Sequence, residues 1–218
     1  MKWLIPTTKW AWVRAGVIFA ALGAVVFAFW GVPALRVAMY QPQEGDIVFQ
    51  ALPKVSPLVR MIEGATGSNY SHCGVVIREN GEWKVIESIF DVHVEPLYKW
   101  VQRGRSSGFA AYRVRDEHRA QIPRFVAELK KFLGRPYDYR YEMNDDQLYC
   151  SELAYKAWKN ATGQQMGKMT KLGELNWKPY EATIRELEDG PPPLEREIIT
   201  PKALSEAPQL VEVYRSGM

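Results

Sequence analysis

The chain has little of the residue that secreted domains use to staple themselves together. It holds two cysteines, Cys73 and Cys150, in 218 residues. Two cysteines permit one disulfide at most, so stability must come from a packed core, and a hydrophobic content of 47% allows one. Histidine is equally scarce, at three residues. His72 and His93 share no zinc spacing with the cysteines, and adjacent residues of a strand point to opposite faces, which separates His72 from Cys73. No metal site and no cofactor is expected. Acidic residues are absent from positions 1–36, which carry Lys2, Lys9, Arg14 and Arg36. Taking these four from the 28 basic residues leaves 24 against 25 acidic ones, so the overall charge of +3 belongs to the N-terminus. The remainder has no basic footprint for nucleic acid. Internal repeats are lacking as well.

Ala15 to Leu35 is a run of 21 residues without a charge, about the length that spans a bilayer as helix. Basic residues precede it, and Trp3, Trp10, Trp12 and Trp30 stand where interfacial aromatics belong. The pattern predicts a membrane anchor over 1–40, ending in a linker at 41–45. The N-terminus would be cytoplasmic and the domain 41–218 would lie on the periplasmic or extracellular side. A cleaved signal peptide is the rival reading, against which stand the length of the run and the lack of an Ala-x-Ala site. With no cysteine nearby to carry a lipid, a lipoprotein is not expected.

Asn80-Gly81 marks a two-residue hairpin between strands at 72–78 and 83–89. That turn fixes the register: Gly74 faces Glu87 and His72 faces Ile89. His72, Gly74, Glu87 and Ile89 then project from one side, and Glu87 is the diagonal neighbour of His72. Further strands are expected at 46–49, 92–97, 109–114 and 210–214, and short helices at 57–63, 97–103 and after Thr200-Pro201. Helical spacing runs over 122–133 and 147–160, and 163–200 reads as irregular. The result is an α+β domain, a mostly antiparallel sheet with helices packed on one side.

Cys150 falls near the start of the second long helix, behind Asp145 and Asp146, which can cap it. Helix N-terminal amides stabilise a thiolate and lower its pKa. A thiolate, an imidazole to carry protons and a carboxylate to orient it form a nucleophilic triad of Cys150, His72 and Glu87. His93, at the head of the next strand, is the alternative third member. The Cys150 backbone N–H would meet the oxyanion, with a phenol from Tyr137, Tyr139 or Tyr141 as possible helper. Tyr70, Ser71 and Asp46 are weaker pocket candidates. Cys73 is expected to face away from Cys150 as a small buried apolar residue.

At these residues the chain resembles the NlpC-type papain-like hydrolases, in their circularly permuted YiiX/YebB-like branch. The resemblance rests on Gly45-Asp46-Ile47-Val48, Ser71-His72-Cys73-Gly74-Val75-Val76, Val85-Ile86-Glu87-Ser88, Gly134-Arg135-Pro136-Tyr137-Asp138, Tyr149-Cys150-Ser151-Glu152-Leu153 and Ile199-Thr200-Pro201. It runs in order over about 44–214, with histidine ahead of cysteine as in the permuted branch. It implies a permuted papain-like fold with Cys150 as nucleophile, His72 as base, Glu87 as orienting acid and Tyr137 near the oxyanion. The leading expectation is a cysteine hydrolase cutting an amide bond in a peptide or peptidoglycan-derived fragment. The alternatives are a lipid-acting thioesterase or acyltransferase with the same triad, which an apolar groove beside Cys150 would favour, and a non-catalytic binding module.

Overall fold

The computed structural model describes residues 9–218, and side chains from Trp12 onward. The expected flank of Lys2 and Trp3, and the side chains of Lys9 and Trp10, lie outside the described residues. The chain opens with helix α1 (Lys9–Val26), continues through a π-helical turn at Phe27–Gly31, and runs on as α2 (Val32–Tyr40). Residues 12–40 form a helix long and apolar enough to cross a membrane, with a mean hydropathy of 2.2.

Six strands form one antiparallel sheet: β1 (Ile47–Gln50), β2 (His72–Glu79), β3 (Glu82–Ser88), β4 (Val92–Pro96), β5 (Phe109–Val114) and β6 (Leu210–Ser216). Their spatial order is β4-β3-β2-β1-β5-β6. The β2–β3 hairpin has the register that Asn80-Gly81 dictates, with Glu79 opposite Glu82 and Gly74 opposite Glu87. Asn80 and Gly81 both take positive φ, 53° and 83°, as this tight turn requires. Pairing stops at Gly74–Glu87, so His72 and Cys73 extend past the end of the β2–β3 ladder.

Period-2 alternation divides the sheet into two apolar faces. Ile47, Phe49, Cys73, Val75, Ile77 and Ile86 pack under helices α5 (Ile122–Lys130) and α6 (Cys150–Thr162). Val48, Val76, Val85, Phe109 and Ala111 pack on the other side under α4 (Leu97–Arg103), whose Trp100 is fully buried. Helices therefore cover both faces, where the sequence reading put them on one. The second cover exists because 97–103 places Leu97, Trp100 and Val101 on one helical stripe. Tyr40 from α2 joins this cluster.

The segment 163–200, irregular in the sequence reading, contains a two-stranded ribbon of Thr170–Lys171 with Glu197–Ile198 and helix α7 (Glu181–Glu188). With α3 (Pro57–Thr66) it builds one wall of a cleft. A last short helix, α8 (Pro201–Ser205), is capped by the Thr200 hydroxyl, which accepts from the Ala203 N–H at 3.1 Å.

Candidate active site

Cys150 is the first residue of α6. The helix starts here rather than at Gln147 because Tyr149 is extended, with φ −88° and ψ 169°. The capping group is not Asp145 or Asp146. Asp145 pairs with Lys156 at 2.7 Å, while the Tyr149 N–H donates to the Glu152 carboxylate at 3.1 Å. Burial raises the Glu152 pKa to about 7 even with Lys156 beside it. At the helix start, the Cys150 N–H is among the four amides with no partner inside the helix, directed where an anion would be stabilised.

His72 stands at the head of β2, buried, its ring 6.1 Å from that of Trp100. Its Nε2 donates to Glu87 Oε2 at 2.5 Å. That leaves Nδ1 for its hydrogen bond with Cys150. Burial opposes the imidazolium, yet the bonds to Cys150 and Glu87 raise the His72 pKa to about 9. Glu87 is fully buried. Burial would raise its pKa, but the bonds from His72 and His93 and the charge of Arg103 hold it well below the usual carboxylate range.

His93 lies directly opposite Glu87 on β4 and reaches its other oxygen, Nε2 to Oε1 at 3.4 Å, while its Nδ1 bonds Asp91 Oδ1 at 2.8 Å. It buttresses the carboxylate from the side away from His72. Arg103 was missed in the sequence. Its Nη2 donates to Glu87 Oε1 at 2.6 Å and Oε2 at 2.5 Å. A signal existed, since Arg103 follows the buried Trp100 by one helical turn and so shares its face. Gly74 opposite Glu87 is also required: a Cβ there would collide with a Val85 methyl and stand 3.1 Å from the Ile86 carbonyl. Gly74→Ala is expected to destabilise the fold by about 1–3 kcal/mol through overpacking, read as a drop in melting temperature, with Glu87 pushed off His72. Unchanged stability would mean the hairpin yields at no cost.

Cys73 departs from expectation. It does not face away from Cys150: it lies on the sheet face that packs under α6. Alternation itself holds: Cys73 shares the face of Val75 and Ile77 under α6, and the expectation failed because it put His72, which lies on the Trp100 side, on that face instead. Cys73, acting against burial, and then His72 hold the Cys150 thiol well below the ordinary range. Burial and the neighbouring Cys150 push the Cys73 thiol up. Both cysteines are free.

The remaining pocket candidates separate. Tyr137 is buried near Cys150, and its hydroxyl shares a 3.1 Å hydrogen bond with that of Tyr141. Tyr139 and Tyr141 line the cleft. Asp46 and Tyr70 do not. Asp46 accepts from the Tyr40 hydroxyl at 2.6 Å and from Arg113 Nε and Nη2, each at 2.8 Å, at the far end of β1 from His72. Tyr70 packs on Phe49 and bonds the Tyr112 hydroxyl at 3.1 Å. Ser71 Oγ is turned toward Glu63, at 3.3 Å.

The cleft opens at Cys150 and Ser151, with a cavity volume of about 70 Å3. Met61, Ile62, Leu172, Leu175, Ile184, Leu187, Ile198 and Ile199 form its walls, with Arg140, Glu188 and Arg196 as its charged lining. Arg196 is spoken for by Glu188, at 2.5 Å.

A cysteine at a helix start, a histidine on an antiparallel sheet and histidine ahead of cysteine in the chain define a permuted papain-like hydrolase. The chain belongs to the family of permuted papain-like amidases, YaeF/YiiX, family C92, whose model matches residues 41–214. It is 34% identical over 179 residues to YiiX of Escherichia coli (strain K12), covering 81% of this chain and 88% of that protein. A crystal structure of yiiX from Escherichia coli O157:H7, described as a metalloprotein, matches with a TM-score of 0.75 at 34% identity, over 81% of this chain and 99% of that one. The chain is thus of a papain-like amidase or peptidase family with a permuted papain-like fold.

Proposed function

We propose that this chain is a cysteine amidase acting on amides whose acyl part is a long apolar chain. The observation that carries this reading is the cleft at Cys150, walled by aliphatic side chains from α3 and the 163–200 segment. Burial of methylene groups there would contribute about 0.8 kcal/mol each. The peptide or peptidoglycan fragment expected from the sequence finds less support, because polar peptide groups would lose hydration against these walls without partners.

In this reading the Cys150 thiolate attacks the amide carbonyl, and the oxyanion forms against the Cys150 N–H at the start of α6. The His72 imidazolium gives its proton to the departing amine, leaving a thioester on Cys150. Neutral His72 then takes a proton from water, whose oxygen attacks the thioester and releases acid and thiol. Glu87, clamped by Arg103 and His93, keeps His72 turned toward the sulfur. The description of the solved relative as a metalloprotein raises a resident metal here. The residues do not fit one: Arg103 holds both oxygens of Glu87, and among the described residues no three His, Cys, Asp or Glu are grouped to hold an ion. No step runs through a metal.

The apolar helix would anchor the enzyme with its domain on the periplasmic or extracellular side, near acyl-bearing molecules of the bilayer. Amides of one amine with acyl chains of increasing length, assayed beside cell-wall peptides, test the reading. We expect kcat/KM to rise with chain length in the wild type, and Ile184→Trp, which fills the cleft, to remove most of that rise. Peptides turned over faster than any acyl amide would overturn it. Transfer of the acyl group to an alcohol or amine instead of water would identify the acyltransferase alternative.

A further inference from the structure

We propose that Arg140 binds an anionic group, a carboxylate or a phosphate, on the amine side of the scissile amide, so that the substrates are acyl amides of acidic amines. The inference rests on the reading of the cleft as the site of an amidase and names the other half of its substrate. What carries it is the way charge is shared at one corner of the cleft. Three charged side chains line it, Arg140, Arg196 and Glu188. Arg196 engages the two neighbouring acids: its Nη1 donates to Glu188 Oε1 at 2.5 Å, and its Nη2 stands 3.9 Å from Glu142 Oε1. Arg140 is exposed and has no carboxylate within ion-pairing distance among the described residues. The charged lining is left with an uncompensated positive charge. An acyl chain takes the aliphatic stretch formed by Ile62, Ile184 and Leu187, which leaves this corner to the other substituent of the carbonyl.

A surface arginine is ordinarily no more than solvated; the backbone of this one is held from two sides. Buried Asp138 accepts from the N–H groups of Arg140 and Tyr141, each at 2.9 Å, and of Glu142 at 2.5 Å. Arg196, from the 163–200 segment, donates to the Arg140 carbonyl. Tyr141, the next residue, packs its ring 4.4 Å from that of Tyr149, which immediately precedes the nucleophile. The loop is thus fixed beside the start of α6, and the guanidinium is the part of Arg140 left without a partner. Its planar fork matches two oxygens of a carboxylate or phosphate. Arg140 stays in water when no anion is bound, so it favours an anion without excluding a neutral group. The preference is therefore moderate: an exposed ion pair strengthens binding by up to about fivefold, and a bidentate one by roughly tenfold or more.

The test uses the full chain in non-ionic detergent and pairs of amides that share one acyl chain. Acylglycine is set against acylglycinamide, and acylated ethanolamine phosphate against acylethanolamine. A third pair carries a carboxylate or a carboxamide at the far end of the acyl chain. The wild type is expected to prefer the anionic member of the first two pairs by roughly 5- to 20-fold in kcat/KM, carried by KM, and less so as salt is raised. Arg140→Gln should bring the members of each pair within about twofold. Arg140→Lys should retain part of the preference, and Arg140→Glu should turn it toward the neutral member. Equal wild-type rates within each pair, or a preference that survives in Arg140→Gln, overturn the inference. So does a preference confined to the third pair, which puts the anion on the acyl chain. In each of these cases, rates that still rise with acyl length leave the amidase reading standing. Failure to cleave any acyl amide overturns both.

Discussion

Replacing His72 with alanine is expected to slow iodoacetamide alkylation of Cys150 at pH 6.5 by roughly 10- to 100-fold, with the two proteins converging above about pH 9. The upper figure follows from a free-thiol pKa of about 8.5, which leaves about 1% thiolate at pH 6.5. The lower one allows for Cys73, which still lowers the Cys150 pKa in the variant. Convergence is set by His72 itself. Its pKa is raised to about 9, so the imidazolium that stabilises the thiolate is present below that pH and lost as pH rises through it. Turnover should fall further, by about 10²–10⁴-fold, because the variant also lacks the group that protonates the leaving amine. A wild-type rate that already follows an ordinary thiol titration, or is indifferent to His72, would remove the ion pair from the mechanism.

The second large effect lies away from the cleft. Asp46→Ala is expected to cost about 3 kcal/mol, the lower end for removing one partner of a buried ion pair, since Arg113 keeps some contact with solvent at 22% side-chain exposure. For a chain of this size that is roughly 6–12 °C in melting temperature. Asp46 is the node where the Tyr40 hydroxyl, the Gln43 N–H and Arg113 converge. Removing it strands a guanidinium and a buried phenol and frees the end of α2 from β1. Alkylation of Cys150 in the folded variant should be unchanged, and a loss of thiol reactivity with normal stability would return Asp46 to the pocket. Asp46→Asn, which keeps an acceptor for the phenol, should recover part of the loss.

These two sites show what the sequence made legible. Asn80-Gly81 determines one register, and that register brings Glu87 to His72 with no knowledge of the rest of the fold. That a helix begins close to Cys150 was readable from local chemistry, although it starts three residues later than the expected 147 and is not capped by Asp145 or Asp146. Asp46 was misread because its partner, Arg113, is 67 residues away and arrives through β1–β5 pairing. Cys73 was misplaced because alternation divides the two faces of a strand but does not say which face meets α6; Cys73, with Val75 and Ile77, holds that one. The cleft has no local signature at all: α3, the tyrosine loop and the 172–201 segment meet only when α6 and the sheet are assembled.

The passage from α1 into the domain has a consequence for how the protein can search for substrate. Helix runs without interruption from Lys9 to Tyr40, the Trp30 ring stacks on Tyr98 of α4, and Gln102 donates to the Phe29 carbonyl at 2.9 Å. The neighbouring residue on α4 is Arg103, the clamp on Glu87. A flexible tether would let a catalytic domain sample a hemisphere of several nanometres; this one is mounted on a stiff mast. Whatever holds the apolar end of the mast also sets the orientation of the cleft.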